Sequence, residues 1–223
     1  ADPEVKAPTA IQNLIYNGKP QELVEAGETD AGTMKYSLDN KNYSETIPTE
    51  TNAGTYTVYY KVFGDDNYND TTEESFDVEI AKADPEVKAP TAIQNLIYNG
   101  TAQTLIEQTG NTTGGTLLYS LDNKNYLTEL PNGTNAGDYT VYFKVDGGNN
   151  YNDVASKTLV VTIMKANPEF ETKPSAKENL VYNKSEQQLI EIGEVKENQG
   201  HIEYKKDDGD YSKNIPTGTD AGT

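Results

Sequence analysis

Between Thr55 and Phe63 the chain alternates strictly, with Tyr56, Val58, Tyr60 and Val62 on one face and Thr57, Tyr59 and Lys61 on the other. A period of two marks a strand with one face in a core and one in water. Tyr139, Val141, Phe143 and Val145 repeat the pattern further along. Upstream, short apolar runs on either side of Asn17-Gly18 predict a tight hairpin over 14–24, because both turn residues tolerate positive φ. The segment TMKYSLDNKNYS (33–44) predicts a second hairpin turning at Asp39–Asn42, and a last strand is expected over roughly Ser75–Ile80, after the polar loop GDDNYNDTTEE. No stretch has the 3.6-residue period of a helix. Short strands punctuated by turn residues predict an all-β, antiparallel sandwich.

The pattern recurs because the chain repeats itself. ADPEVKAPTAIQNLIYNG at 1–18 returns unchanged at 83–100, an interval of 82 residues. YSLDNKNY at 36–43 returns at 119–126 and TNAG at 51–54 returns at 134–137, now 83 apart, which predicts a one-residue insertion in the loop 109–115. A diverged third copy begins near Lys165, with NPEF for DPEV and NLVYNK for NLIYNG. The expected organisation is repeat 1 over 1–82, repeat 2 over 83–165 and a C-terminally incomplete repeat 3 over 166–223. Repeat 3 lacks a counterpart of Tyr56–Lys82, so the pattern predicts further chain beyond Thr223. Connections of a few residues that contain Pro85 and Pro168 predict stiff joints, since proline fixes φ and holds the residue before it extended.

Two motifs carry a family resemblance. Asn52-Ala53-Gly54-Thr55-Tyr56-Thr57-Val58 and its counterpart from Asn135 to Val141 resemble the Asp-x-Ala/Gly-x-Tyr-x-Cys segment of immunoglobulin-like domains. Val58 and Val141 stand where antibody domains carry a cysteine, so the resemblance is to disulfide-free bacterial immunoglobulin-like repeats. It implies a tyrosine corner at Asn52 and Tyr56, and another at Asn135 and Tyr139. The longer string of YNG, YSLDNKNY, TNAGTYTVYYKV and NYND is similar to tandem repeats of Gram-positive secreted surface proteins and adhesins. That resemblance implies tandem immunoglobulin-like sandwiches forming an elongated, monomeric rod on the cell surface or secreted. It further implies a non-catalytic stalk or spacer role, with host or microbial glycans and proteins engaged through other parts of the parent protein.

Composition narrows the chemistry. With 18 basic against 36 acidic residues the formal charge is −18, which repels phosphate and so excludes nucleic acid as a partner. No run of about 18 apolar residues predicts insertion in a membrane. The chain has no cysteine and one histidine, His201, so thiol chemistry, disulfides and multi-histidine metal centres are absent. The acids are spread over turns and polar strand faces in all copies, with no pair set apart as glycoside hydrolysis requires. The expectation is no enzyme and no cofactor, calcium being the one candidate ion. Asp65, Asp66 and Asp70 supply the oxygen ligands calcium needs, yet the counterpart loop 146–153 retains fewer acids, and ordinary turns select the same residues. Sixteen tyrosines raise recognition as a second function. Tyr59 and Tyr142, outward on the long strands, and Tyr68 and Tyr151, in the NYND loops, are the candidate binding residues. The alternatives to a stalk are therefore a repeated glycan- or host-protein-binding module, or an accessory domain of a secreted carbohydrate-active enzyme.

Overall fold

The computed structural model describes residues 1–222; Thr223, where the incomplete repeat ends, lies outside them. The fold is all-β, with no helix among the described residues. In repeat 1 a four-stranded sheet runs in the order Leu14–Ile15, Glu74–Ala81, Gly54–Phe63, Thr33–Ser37. Repeat 2 builds the same sheet from Leu96–Ile97, Val154–Met164, Gly137–Asp146 and Thr116–Ser120. The alternation read from the sequence is the burial seen: Val58, Tyr60 and Val62 are buried while their neighbours are half exposed.

The opposing layer is assembled from pieces two residues long. Val5–Lys6 pairs with Glu28–Thr29, Thr9–Ala10 with Val24–Glu25, and Gln21–Glu22 with Thr49–Glu50, all antiparallel. The first two pairings share one register, so the entering strand and the strand after Asn17-Gly18 form a single interrupted ladder. Prolines at 3, 8 and 20 remove the amides that would make the ladder continuous. Leu23 and Val24 project from this layer onto Val58, Val62, Val78 and Ile80 of the four-stranded sheet. In repeat 2, Leu105 and Ile106 meet Val141, Phe143, Val161 and Ile163. These are two face-to-face layers around a core, the immunoglobulin-like sandwich expected.

Three local expectations change. The Asn17-Gly18 turn exists, with Gly18 at φ 74° and the Lys19 amide donating to Asn17 Oδ1 at 2.9 Å, but its flanks do not pair with each other. Leu14–Ile15 instead lies parallel against Ile80–Ala81, and Gln21–Glu22 joins the other layer, so the turn carries the chain between sheets. The edge of the last strand offers Leu14 a partly buried place against the core that a two-strand hairpin lacks, and Asn13, at φ 60°, makes the bend that takes it there. The sandwich is thus antiparallel except for this one short parallel edge in each complete repeat.

The one-residue insertion of repeat 2 also lies elsewhere than expected. Ala92 pairs with Ile106 but Thr91 pairs with Gln108, so Glu107 is an extra residue inside a strand and forms a β-bulge. A bulge adds a residue while keeping Ile106 inward, because the register on both sides is preserved. The cross-tie near it adjusts: Tyr36 Oη accepts the Gly27 amide at 2.9 Å, whereas the Tyr119 hydroxyl donates to the carbonyl of Thr109.

The described residues form two compact units, Ala1–Met164 and a second beginning at Lys165. The second contains the interrupted layer, Phe170–Thr172 with Glu194–Val195, Ser175–Ala176 with Ile190–Glu191, and Gln187–Gln188 with Thr217–Gly218. Among its described residues Leu180, Val181 and Tyr182 are exposed.

Leu105→Ala, at a fully buried position, should destabilise repeat 2 by about 2–5 kcal/mol. Deleting Glu107 should cost under about 1 kcal/mol, because the shortened strand regains the register of repeat 1. Chemical denaturation of the two variants checks both values.

Candidate functional site

Each complete repeat has a tight corner where its long strand begins. Tyr56 donates its hydroxyl to the carbonyl of Asn52 at 2.8 Å, and Tyr139 donates to Asn135 at 2.9 Å. The bond closes the turn that feeds the strand, which is the tyrosine-corner geometry. Burial, with a smaller contribution from Glu50, raises the pKa of the Tyr56 phenol.

The second hairpin is held by one carboxylate per copy. Asp39 accepts hydrogen bonds from the amides of Asn42 and Lys41, the Asn42 side chain and the Ser37 hydroxyl, at 2.6–2.9 Å. The Asn42 amide, then its side chain and the other donors, hold the Asp39 carboxyl well below the usual carboxylate range. Asp122 has the same partners in Asn125, Lys124 and Ser120 and the same depression.

Tyr59 and Tyr142 lie half exposed on the outer faces of the four-stranded sheets. The aromatic surface around Tyr59 is covered by its own lysines. Lys61 Nζ sits 4.2 Å from the centroid of Phe63 and 5.6 Å from that of Tyr43, and Lys35 Nζ lies 5.3 Å from Phe63. In repeat 2, Lys144 Nζ covers Tyr126 at 4.5 Å. Such cation–π contacts place the positive charge of an acidic protein over its aromatic rings. Burial, followed by Glu73, pushes the Tyr43 phenol up to about 12. Burial, followed by the hydrogen bond to Glu74, does the same to Tyr60.

The NYND loops close on themselves and on the entering chain. Asp70 Oδ1 accepts the Gly64 amide at 2.9 Å, its Oδ2 lies 3.7 Å from Lys61 Nζ, and Asp65 Oδ1 accepts the Asn67 amide at 2.8 Å. Asp153 repeats the first of these with Gly147, also at 2.9 Å. Asp65 and Asp70 thus direct carboxylate oxygens at backbone amides and a lysine. Among the described residues no group of three or more His, Asp or Glu side chains converges on a point where a metal could be held.

Tyr151 has a place that the sequence pattern left open. Its ring packs edge-on against Tyr16 of repeat 1, with centroids 5.3 Å apart. Around it, Asn150 Oδ1 accepts the Ala53 amide at 2.9 Å and Asn150 Nδ2 donates to Asn52 Oδ1 at 3.1 Å. The backbone of Ala83 bridges the loop in parallel: its amide donates to Asn150 at 3.0 Å and its carbonyl accepts from Asn152 at 2.8 Å. Lys82 Nζ reaches the Gly148 carbonyl at 2.6 Å, and Asn152 Nδ2 donates to Asp84 at 2.7 Å. The contacts of Tyr16, Asn52, Ala53 and Lys82 make a joint between repeats 1 and 2, while those of Ala83 and Asp84 tie the loop to the entering chain of repeat 2 itself. Asn52, Asn150, Tyr16 and Lys82 are parts of the joint, and the recurrence of YNG and NYND in register hinted at Tyr16 and Asn150 alone. Tyr68 occupies the corresponding loop of repeat 1, beside Ala1 and Asp2.

A depression of about 440 Å³ beside the sheet switch of repeat 1 is lined by Asn13, Thr55, Asp77 and Glu79 among others. Asp77 accepts the Thr57 hydroxyl at 2.7 Å, and repeat 2 has Val160 and Thr162 in place of the two acids. No acid pair is carried from one copy to the next there.

No family model matches the chain, and no curated protein matches it. Among solved structures it is similar to the fibronectin(III)-like modules of Clostridium thermocellum CbhA, with 12% identity over 73% of this chain and 94% of that one and a TM-score of 0.32. A likeness so distant adds nothing to what the strand pairing shows.

Tyr139→Phe, which removes only the corner hydroxyl, should cost about 1 kcal/mol in denaturant melts. Below about pH 4 stability should fall, because Asp39 and Asp122 have folded-state pKa values below their unfolded ones and their contribution is lost as they protonate. Asp39→Asn with Asp122→Asn should flatten that acid limb. At the alkaline end Tyr43 and Tyr60 have raised pKa values, so their contribution is lost as pH rises from about 10. A near-ultraviolet absorbance titration should show two phenols ionising near 12.

Proposed function

We propose that the chain is a run of non-catalytic spacer repeats, part of the stalk of a secreted or surface-attached bacterial protein of the adhesin type. The joint between repeats 1 and 2 carries this reading. A tether that only connected two binding modules would need no side chains across it. Here the hydrogen bonds of the Asn150 side-chain amide and an aromatic contact fix one repeat on the next through Asn52, Ala53, Tyr16 and Tyr151. Directional hydrogen bonds with defined partners specify an orientation, which is what a spacer has to keep.

Other features point the same way. The lysines over Phe63, Tyr43 and Tyr126 reduce the aromatic area left for a glycan or protein. A charge of −18 keeps neighbouring copies apart in solution and favours a monomer. Packing without cysteine suits an exterior where disulfides are not relied on. Host or microbial partners are then engaged by other parts of the parent protein, and this segment works without a cofactor.

Spin labels on Thr46→Cys and Glu129→Cys, equivalent exposed positions in a chain with no native cysteine, measure the joint in the whole protein. The expected result is a narrow distance distribution, unchanged by calcium or chelator, that broadens when Asn150→Ala and Tyr151→Ala are combined. A broad distribution in the unaltered joint would overturn the spacer function.

A further inference from the structure

The joint has two halves, and each complete repeat carries both. One half is presented by the C-terminal end of repeat 1: Tyr16, Asn52, Ala53 and Lys82. The other is the loop Asn150–Tyr151–Asn152 of repeat 2, which receives them. Its counterpart in repeat 1 is Asn67–Tyr68–Asn69, and this loop is built to the same pattern. The Asn69 amide donates to the Ala1 carbonyl at 2.9 Å, as Asn152 does to Ala83 at 2.8 Å. Asn69 Nδ2 donates to Asp2 at 3.1 Å, as Asn152 Nδ2 does to Asp84 at 2.7 Å. The entering chains are identical, since residues 1–18 and 83–100 are the same.

The two loops differ in their partners. Both ends of the Asn150 amide are taken by Asn52 and Ala53, and the Tyr151 ring meets Tyr16. Among the described residues no hydrogen-bond partner takes the Asn67 side chain, which is exposed. Charge points to a lysine as the complement of the repeat 1 loop. Lys82 reaches the carbonyl of Gly148, and repeat 1 places Asp65 and Asp66 where repeat 2 has Gly148 and Asn149. Two carboxylates therefore stand where an incoming Lys82 would bring its ammonium group.

We propose that the Asn67–Tyr68 face of repeat 1 is a docking surface whose occupant is the C-terminal end of another copy of the same repeat, seated by its equivalents of Tyr16, Asn52, Ala53 and Lys82. The inference rests on the spacer function, which requires joints that are all alike. It also gives Asp65 and Asp66 a task other than binding an ion, namely receiving a lysine.

The test is an extended protein with one further copy of residues 1–82 placed ahead of Ala1, which reproduces the Lys-Ala connection found at Lys82–Ala83. Spin labels at position 46 of the added copy and at Thr46→Cys report the new joint; the pair at 46 and 129, in a second sample, reports the internal one. The expected result is the same distance and the same narrow width at both joints, with Asn67→Ala broadening only the new one and Asn150→Ala only the internal one. A broad distribution at the new joint beside a narrow internal one, or a narrow one indifferent to Asn67→Ala, would overturn the docking surface and leave the spacer function standing. Broad distributions at both would overturn the two together.

Discussion

The whole repeat depends on one contact between layers: Leu23 and Val24, or Leu105 and Ile106, pressed against the buried face of the two long strands. All the pairings of the opposing layer but one are two residues long, with a few backbone hydrogen bonds each. Strands that short do not persist in water by themselves. Each fully buried aliphatic side chain contributes about 1.5–3 kcal/mol when taken out of water, and it is this burial that keeps the fragments in place. The third copy retains the interrupted layer and its hairpin turn, where the Tyr204 amide donates to the Ser212 carbonyl at 2.7 Å.

Around that contact, polar side chains set geometry more than they add stability. The tyrosine corners fix where the long strand starts, Asp39 and Asp122 fix where the second hairpin turns, and Asp70 and Asp153 close the NYND loops. The loop glycines belong to the same system. A Cβ on Gly64 or Gly147 would lie 2.1 Å from the carbonyl oxygen of Tyr68 or Tyr151, so only glycine lets each loop fold back on its strand. In repeat 2 the loop thus shaped is the surface that receives repeat 1. Local turn chemistry and the joint are one construction, and the recurrence of NYND in two otherwise divergent loops follows from it.

The acidic character is organised in the same economical way. Exposed lysines lie over aromatic rings or beside single carboxylates, as Lys61 does with Phe63 and Asp70. These exposed pairs contribute little to stability individually. Their effect is to leave a surface of one predominant sign, which opposes association between chains while permitting contact where a lysine is directed at a specific loop.

Much of this was legible from the residues alone. The period of two in 55–63 and 138–145, the turns at Asp39 and Asp122 and the tyrosine corners are local patterns, set by side-chain alternation and backbone conformation within a dozen residues. The repeat identities also give the order of modules. Three matters were decided only by tertiary structure, and each involves partners far apart in sequence. Leu14–Ile15 took the edge of a strand more than sixty residues away instead of its neighbour across Asn17-Gly18, because that edge offered burial. The extra residue of repeat 2 became a bulge at Glu107, because the ladder keeps Ile106 in the core at the cost of one unpaired residue. Tyr16, Asn52 and Asn150 became a joint because folding brings the end of one sandwich against the loop of the next. Periodicity records which face of a strand is apolar; which surface covers that face is settled by competition among distant segments for the same buried positions.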